Sequence, residues 1–173
     1  MATESTTPPP EDVNQTVREE WKAETDAFER VTQIARETHE QAASADIAER
    51  ALVAKTTAIK HLKTLAEFGV VEQISEGGTL YWKRNEFHAA MRRADELARE
   101  YDTVDLADAV REMKDEIEGY RTEYDVESPE ELARALDSDE GDGWEDLQEW
   151  QTTARNLGIA KIALTFHEVR DSL

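Results

Sequence analysis

The sequence has no cysteine in 173 residues. Disulfides, thiolate metal sensing and cysteine nucleophiles are therefore excluded, and a reducing compartment fits. No apolar run approaches the length of a membrane span, and the N-terminus carries no hydrophobic leader core. A soluble, cytoplasmic protein without a membrane partner is expected. No Gly-rich phosphate loop, H-E-x-x-H or nucleophile elbow occurs. The four histidines, His39, His61, His88 and His167, fall on four different expected elements. His167 and Asp171 stand one helical turn apart, but no fuller ligand set accompanies them. The expectation is a non-enzyme with no catalytic residues, no metal site and no cofactor. Nor is there an internal repeat of solenoid period. Basic residues are scarce, 20 against 40 acids, for a net charge of −20. That excess reads as a solvated surface adapted to concentrated salt.

One interval reverses the deficit. Residues 44–84 hold six bases and five acids, a net +1, while the remainder holds 14 bases and 35 acids. No acid occurs between Lys55 and Ala66. The pattern predicts a short helix over Ser44–Ala51, a tight connection Leu52-Val53-Ala54, and a second helix over Lys55–Phe68 closed by Gly69 as a left-handed cap. Two strands, Val70–Ser75 and Thr79–Arg84, flank the turn signal Glu76-Gly77-Gly78. Ile59, Leu62, Leu65 and Ala66 recur at helical spacing and define the inward face of the second helix. Helix, turn, helix, hairpin is the order of a winged helix-turn-helix, whose second helix enters the major groove of double-stranded DNA. Thr56, Thr57, Lys60 and His61 occupy its base-reading positions. Lys55, Lys63, Lys83 and Arg84 suit phosphate or minor-groove contact. Of Tyr81 and Trp82, adjacent in a strand, one is expected in the core and the other outside it.

Residues 44–84 resemble the winged helix-turn-helix of ArsR/TrmB-like transcriptional regulators. The matching features are Ile47-Ala48, Thr56-Thr57, His61-Leu62-x-x-Leu65 and Gly69-Val70-Val71. With Glu20-Trp21 and Trp150-Gln151-Thr152-Thr153, the whole chain resembles haloarchaeal proteins labelled transcriptional regulators. The resemblance implies sequence-specific DNA binding. Two positions depart from the family pattern: Leu52 stands where the turn usually has Gly, and Ala54 where the second helix usually has a Ser or Asp cap.

The flanks complete the expected domain plan. Residues 1–11, with Pro8-Pro9-Pro10, read as a disordered or extended tail. Residues 12–84 form the DNA-binding domain. Within it, an acidic helix over Asp12–Ala23 presents Val13, Val17 and Trp21, and a helix capped by Thr25 or Asp26 buries Phe28, Val31, Ile34 and Ala35. Thr38–Ala43 reads as a connection. Residues 85–173 form a helical region. Glu86–Tyr101 puts Phe87, Ala90, Met91, Ala94, Leu97 and Tyr101 on one face. After an Asp102-Thr103 cap, Leu106, Val110, Met113, Ile117, Tyr120 and Tyr124 alternate steps of four and three, a coiled-coil-like seam. Ser128-Pro129-Glu130-Glu131 opens a short helix, and Asp137–Gly143 reads as an acidic loop. The last helix, Trp144–Leu173, shows two rotated faces: Leu147, Trp150, Ala154 and Leu157, then Ile159, Ile162, Ala163, Phe166 and Val169. A helix apolar on two sides wants two neighbours. A homodimer built on Leu106, Val110, Met113, Ile117, Tyr120, Ile159, Ile162 and Phe166 is therefore expected; an intramolecular helical hairpin is the alternative.

The expected fold class is thus mainly α: a winged helix-turn-helix with a two-stranded hairpin wing, then a helical dimerisation region. The expected function is a DNA-binding transcriptional regulator acting as a homodimer at high salt. The alternative is a winged-helix protein–protein adaptor that uses its acidic helices. In near-molar salt the Debye length is about 3 Å, so phosphate contacts weaken and a shallow salt dependence is expected.

Overall fold

The structure, a computed structural model, describes residues 10–136 and 141–173. Most of the expected tail and the start of the acidic loop lie outside the described residues. So does the side chain of Val13. The chain is mainly helical with one three-stranded antiparallel sheet. It divides into two compact units, residues 1–88 and 89–173. No helix among the described residues is long and apolar enough to cross a membrane.

The first unit runs α1 (Pro10–Glu24), α2 (Ala27–Arg36), β1 (Ala42–Ala43), α3 (Ser44–Arg50), α4 (Lys55–Glu67), β2 (Val71–Glu76) and β3 (Thr79–Arg84). Asp26 caps α2: its carboxylate accepts from the Glu29 amide while Glu29 accepts from the Asp26 amide, a reciprocal capping box. Helix α4 stops because Gly69 takes φ +73°. Its amide donates to the Ala66 carbonyl, and the Val70 amide donates to Leu65, the Schellman pattern. Gly77 and Gly78, both at positive φ, turn β2 into β3 with Glu76 opposite Thr79.

Sheet order is β1-β3-β2. Strand β1 lies inside the stretch expected to be a mere connection. It pairs Ala42 with Trp82 and Ala43 with Tyr81. Two residues are too few for a periodic pattern, so nothing local marks them as a strand.

The core of this unit gathers Val31, Ile34, Ile47, Leu62, Leu65, Val71 and Trp82 with small residues between them. Trp82 is fully buried, and its indole Nε1 donates to the Ser44 hydroxyl at 2.8 Å. Burying an indole removes on the order of 200 Å² from water, about 5 kcal/mol at 25 cal/mol/Å². The Ser44 bond keeps its one polar atom from cancelling that gain. Three expectations change here. Phe28 is exposed, its place near the core taken by Arg30. Pro10 and Glu11 begin a helix rather than end a tail. In α4, Ala58 is fully buried while Ile59 is only half-buried.

Arg30 is buried without an acidic partner. Its Nε donates to the Ala51 carbonyl at 3.0 Å and an NH donates to the Thr25 carbonyl at 2.6 Å, with Trp21 6.0 Å away. A guanidinium satisfied by carbonyls ties the end of α1 and the end of α3 to α2.

The second unit consists of most of α5 (Glu86–Glu100), with α6 (Thr103–Tyr124), α7 (Pro129–Ala135) and α8 (Gly141–Ser172). The side chain of Asp102 accepts from Val104 and Asp105 amides, and that of Ser128 from Glu131, so both expected caps form. Helices α6 and α8 are antiparallel: Tyr124 bonds Asp146, Tyr120 bonds Glu149 at 3.1 Å and Thr153 bonds Glu116 at 2.9 Å. Leu106, Val110 and Ile117 are buried within the chain, and Met113, Tyr120 and Tyr124 are half-buried.

Helix α8 packs in two clusters: Leu147, Trp150 and Leu157 join Ile117 and Leu132 near its start, and Ala163 joins Ala94, Ala98 and Leu106 near its end, with Ile159, Ile162 and Phe166 partly buried against them. Its buried residues are Gly143, Leu147, Trp150, Thr153, Ala160 and Ala163, with Leu157 half-buried between them. They form one stripe at steps of three and four, the period of a helix lying along a neighbour. Thr153 and Ala160 are buried beyond the expected faces, Thr153 with its hydroxyl donating to Glu116. Ala154 and Val169 are exposed instead. On α5 the buried residues are Ala94 and Ala98, whereas Phe87 and Tyr101 are exposed. Gly141–Gly143, expected in the loop, form the first turn of α8.

Candidate nucleic-acid interface

The candidate surface is built on α4. Ala58, Leu62 and Leu65 face the core, which turns the cationic face outward. Lys55, Thr56, Lys60 and Lys63 are exposed, and none of these lysines makes an ion pair among the described residues. Between Lys55 and Ala66 the helix carries no acid, in a chain with 40 of them. Thr57 and His61 are half-buried. The His61 ring meets Phe28 edge-on, with centroids 5.3 Å apart and planes at 71°. Phe28 is therefore spent on the back of this surface rather than in the core.

Local rules are broken just where α4 begins. Leu52 adopts φ +54°, a left-handed conformation that costs a non-glycine residue about 1–2 kcal/mol. Ala54, the N-cap, offers no side-chain acceptor, and no acid lies in the first turn. Lys55 places a positive charge at the positive end of the helix dipole, unfavourable by about 0.3–1 kcal/mol. The amides of the first turn are left for solvent or an anion. The positive φ of Leu52 and the missing cap at Ala54 thus fall together at one helix end.

The hairpin contributes less than its sequence suggests. Lys83 is half-buried and stands opposite Glu72 in register. Arg84 is engaged inside its own unit. An NH donates to the Arg36 carbonyl at 3.3 Å, and Nε sits 3.4 Å from Glu86 without hydrogen-bond geometry. Glu86 also meets His39 at 3.1 Å. Glu72 and Glu76 are exposed on β2. Of the eight expected DNA contacts, six lie on α4; Lys83 stays half-buried on β3, and Arg84 is engaged with Arg36 and Glu86.

Elsewhere the chemistry is sparse. His167 Nε2 lies 3.0 Å from the Tyr101 carbonyl. Among the described residues no group of three or more His, Asp or Glu could hold a metal ion. Tyr120 and Tyr124 are held protonated. Burial, then the bond to Glu149, raises Tyr120; the bond to Asp146, then burial, pushes Tyr124 up to about 12.

A family model described as "Family of unknown function (DUF7342)" matches residues 25–169. The chain belongs to this family. The match begins beside the Asp26 cap of α2 and ends near the close of α8, so the family spans both units. No curated protein and no solved structure gives a significant match.

Proposed function

We propose that this chain is a winged helix-turn-helix transcriptional regulator of the ArsR/TrmB-like kind, binding double-stranded DNA through α4. The observation that carries the reading is the outward face of α4, where Lys55, Lys60 and Lys63 stand exposed and unpaired. The order of α2, β1, α3, α4 and the β2–β3 hairpin agrees with it. So does the helix end that forgoes a cap, an acid and a glycine at once, since stability is commonly forgone at functional positions. Lys60 with Thr56 and Thr57 would read base edges. Lys55, Lys63 and the free amides of the first turn would take phosphates.

Homodimerisation is part of the proposal, because two half-sites double the contacts when molar salt weakens each phosphate pair. Leu106, Val110 and Ile117 are already covered by α8. The dimer contact therefore falls to the part-exposed flank of Ile162, Phe166 and Val169.

The test is a gel shift on DNA upstream of the protein's own gene, in molar potassium salt, with Lys60→Glu beside the wild type. Retarded wild type and a lost shift in Lys60→Glu is the expected result. Absence of binding to any DNA at any salt would favour the acidic protein–protein adaptor instead.

A further inference from the structure

The second unit holds 24 acids and ten bases, and only two of the chain's seven lysines, Lys114 and Lys161. Both line one groove of about 560 Å³ between α6, the start of α7 and α8. Arg121 lines it too, steadied by the Glu127 carbonyl at 3.2 Å and by Glu118 at 3.5 Å. Lys114 and Lys161 make no ion pair among the described residues. Ile117, Leu157 and the buried Trp150 supply an apolar floor.

That combination runs against its setting. A larger cleft of about 700 Å³ in the same unit, rimmed by Asp105 and Glu112, needs no ligand to explain it, because acids are everywhere on this surface. The lysine-lined groove reverses that balance: Lys114, Arg121 and Lys161 outnumber its two acids, Glu118 and Glu127, over an apolar floor. Its volume suits a small ligand, within the roughly 300–1,000 Å³ of such sites. A macromolecular partner would need a patch nearer 800 Å².

We propose that this groove binds a small organic anion, a carboxylate borne on an aromatic or aliphatic body. The body lies on Ile117, Leu157 and the edge of Trp150, and the carboxylate is taken by Lys114 and Lys161. Apolar contact supplies affinity that salt does not screen, and the lysines select the sign of charge. The inference does not depend on the DNA reading.

The test is a titration of the full chain with 4-phenylbutyrate, followed by calorimetry at low salt. The uncharged 4-phenylbutanol and the variants Lys114→Gln/Lys161→Gln and Arg93→Gln are run alongside. Arg93 lines the other cleft. The expected result is one saturable site, weakened about tenfold by the double lysine substitution and untouched by Arg93→Gln. Both lysines are exposed, so the fold should survive, and an unchanged melting curve checks that. The proposal is overturned by no saturable binding up to the solubility limit, by equal binding of the alcohol, or by a double variant that binds like wild type. It is also overturned if the double variant changes only the sedimentation coefficient, which would make the groove a contact between copies.

Discussion

The two units order their helices in a very acidic chain by different means. In the second unit the helix starts follow local rules, though Asp125 ends α6 in a left-handed conformation at φ +51°. Asp102 and Ser128 cap their helices with side-chain oxygens, and α6 meets α8 through tyrosine and threonine hydroxyls given to carboxylates. Those bonds need no cation, which suits a unit with 24 acids and ten bases. In the first unit α3 and α4 start at Ala43 and Ala54 with no side-chain cap, and Leu52 bends the wrong way for its residue type. Their order comes from a shared core around Trp82 and from Arg30 clamping carbonyls. The difference teaches that α4 is held from behind. Its front end is then free of the capping groups and acids that would compete with a phosphate.

That contrast can be broken at its cores first. Trp82→Ala should destabilise the first unit by about 3–5 kcal/mol, since it leaves a cavity and a partnerless Ser44 hydroxyl. The second unit should fail in the opposite direction. Ala163→Leu, where α8 packs with Ala94, Ala98 and Leu106, should cost about 1–3 kcal/mol by overpacking. Urea unfolding followed by circular dichroism measures both. A neutral Ala163→Leu would mean that this end of the second unit is loosely packed.

A smaller effect separates the units by pH. A tyrosine ionises near 10 when unfolded, and Tyr120 and Tyr124 are raised when folded, Tyr124 to about 12. A raised value means that the hydroxyl bonds stabilise fully below pH 10 and lose their contribution as pH climbs through the folded value. Tyr120→Phe/Tyr124→Phe should therefore be less stable than wild type at pH 8 by about 1 kcal/mol per bond, with the gap closing between pH 10 and 12. Urea midpoints across that range test it, and a constant gap would remove the carboxylate bonds from the account.

The smallest effect sharpens the contrast at α4. Ala54→Ser supplies the missing cap and should stabilise the first unit by about 0.5–1 kcal/mol. DNA binding, read by the same gel shift, should weaken, because the new hydroxyl takes an amide offered to phosphate. Stabilisation with unchanged binding would show the bare helix end to be incidental.

Much of this was legible along the chain. The bounds of α3, α4, β2 and β3 came within a residue or two of expectation. Gly69 and the Gly77-Gly78 pair announce themselves chemically, and the apolar steps of α4 point to one face. The caps at Asp26, Asp102 and Ser128 were visible for the same reason. What failed to show was set by neighbours distant in sequence. Strand β1 exists because β3 lies beside it, and Phe28 is exposed with its ring against His61. Thr153 is buried because Glu116 accepts its hydroxyl. At the candidate site, the cationic face of α4 was legible from its missing acids. The engagement of Arg84 with Arg36 and Glu86 was not, because nothing in a strand-end arginine reveals who stands across from it.

The sequence by itself determined the bounds of α3, α4 and the hairpin to within a residue or two, which helix is cationic, and that no thiol chemistry occurs. These follow from backbone preference and charge, which act over a few residues. Tertiary structure alone decided that the long seam of α6 is filled by α8 of the same chain. It alone engaged Arg84 with Arg36 and Glu86 and set two lysines over one apolar groove. Burial and pairing depend on which surfaces meet, and that is a property of the folded chain rather than of any short stretch of it.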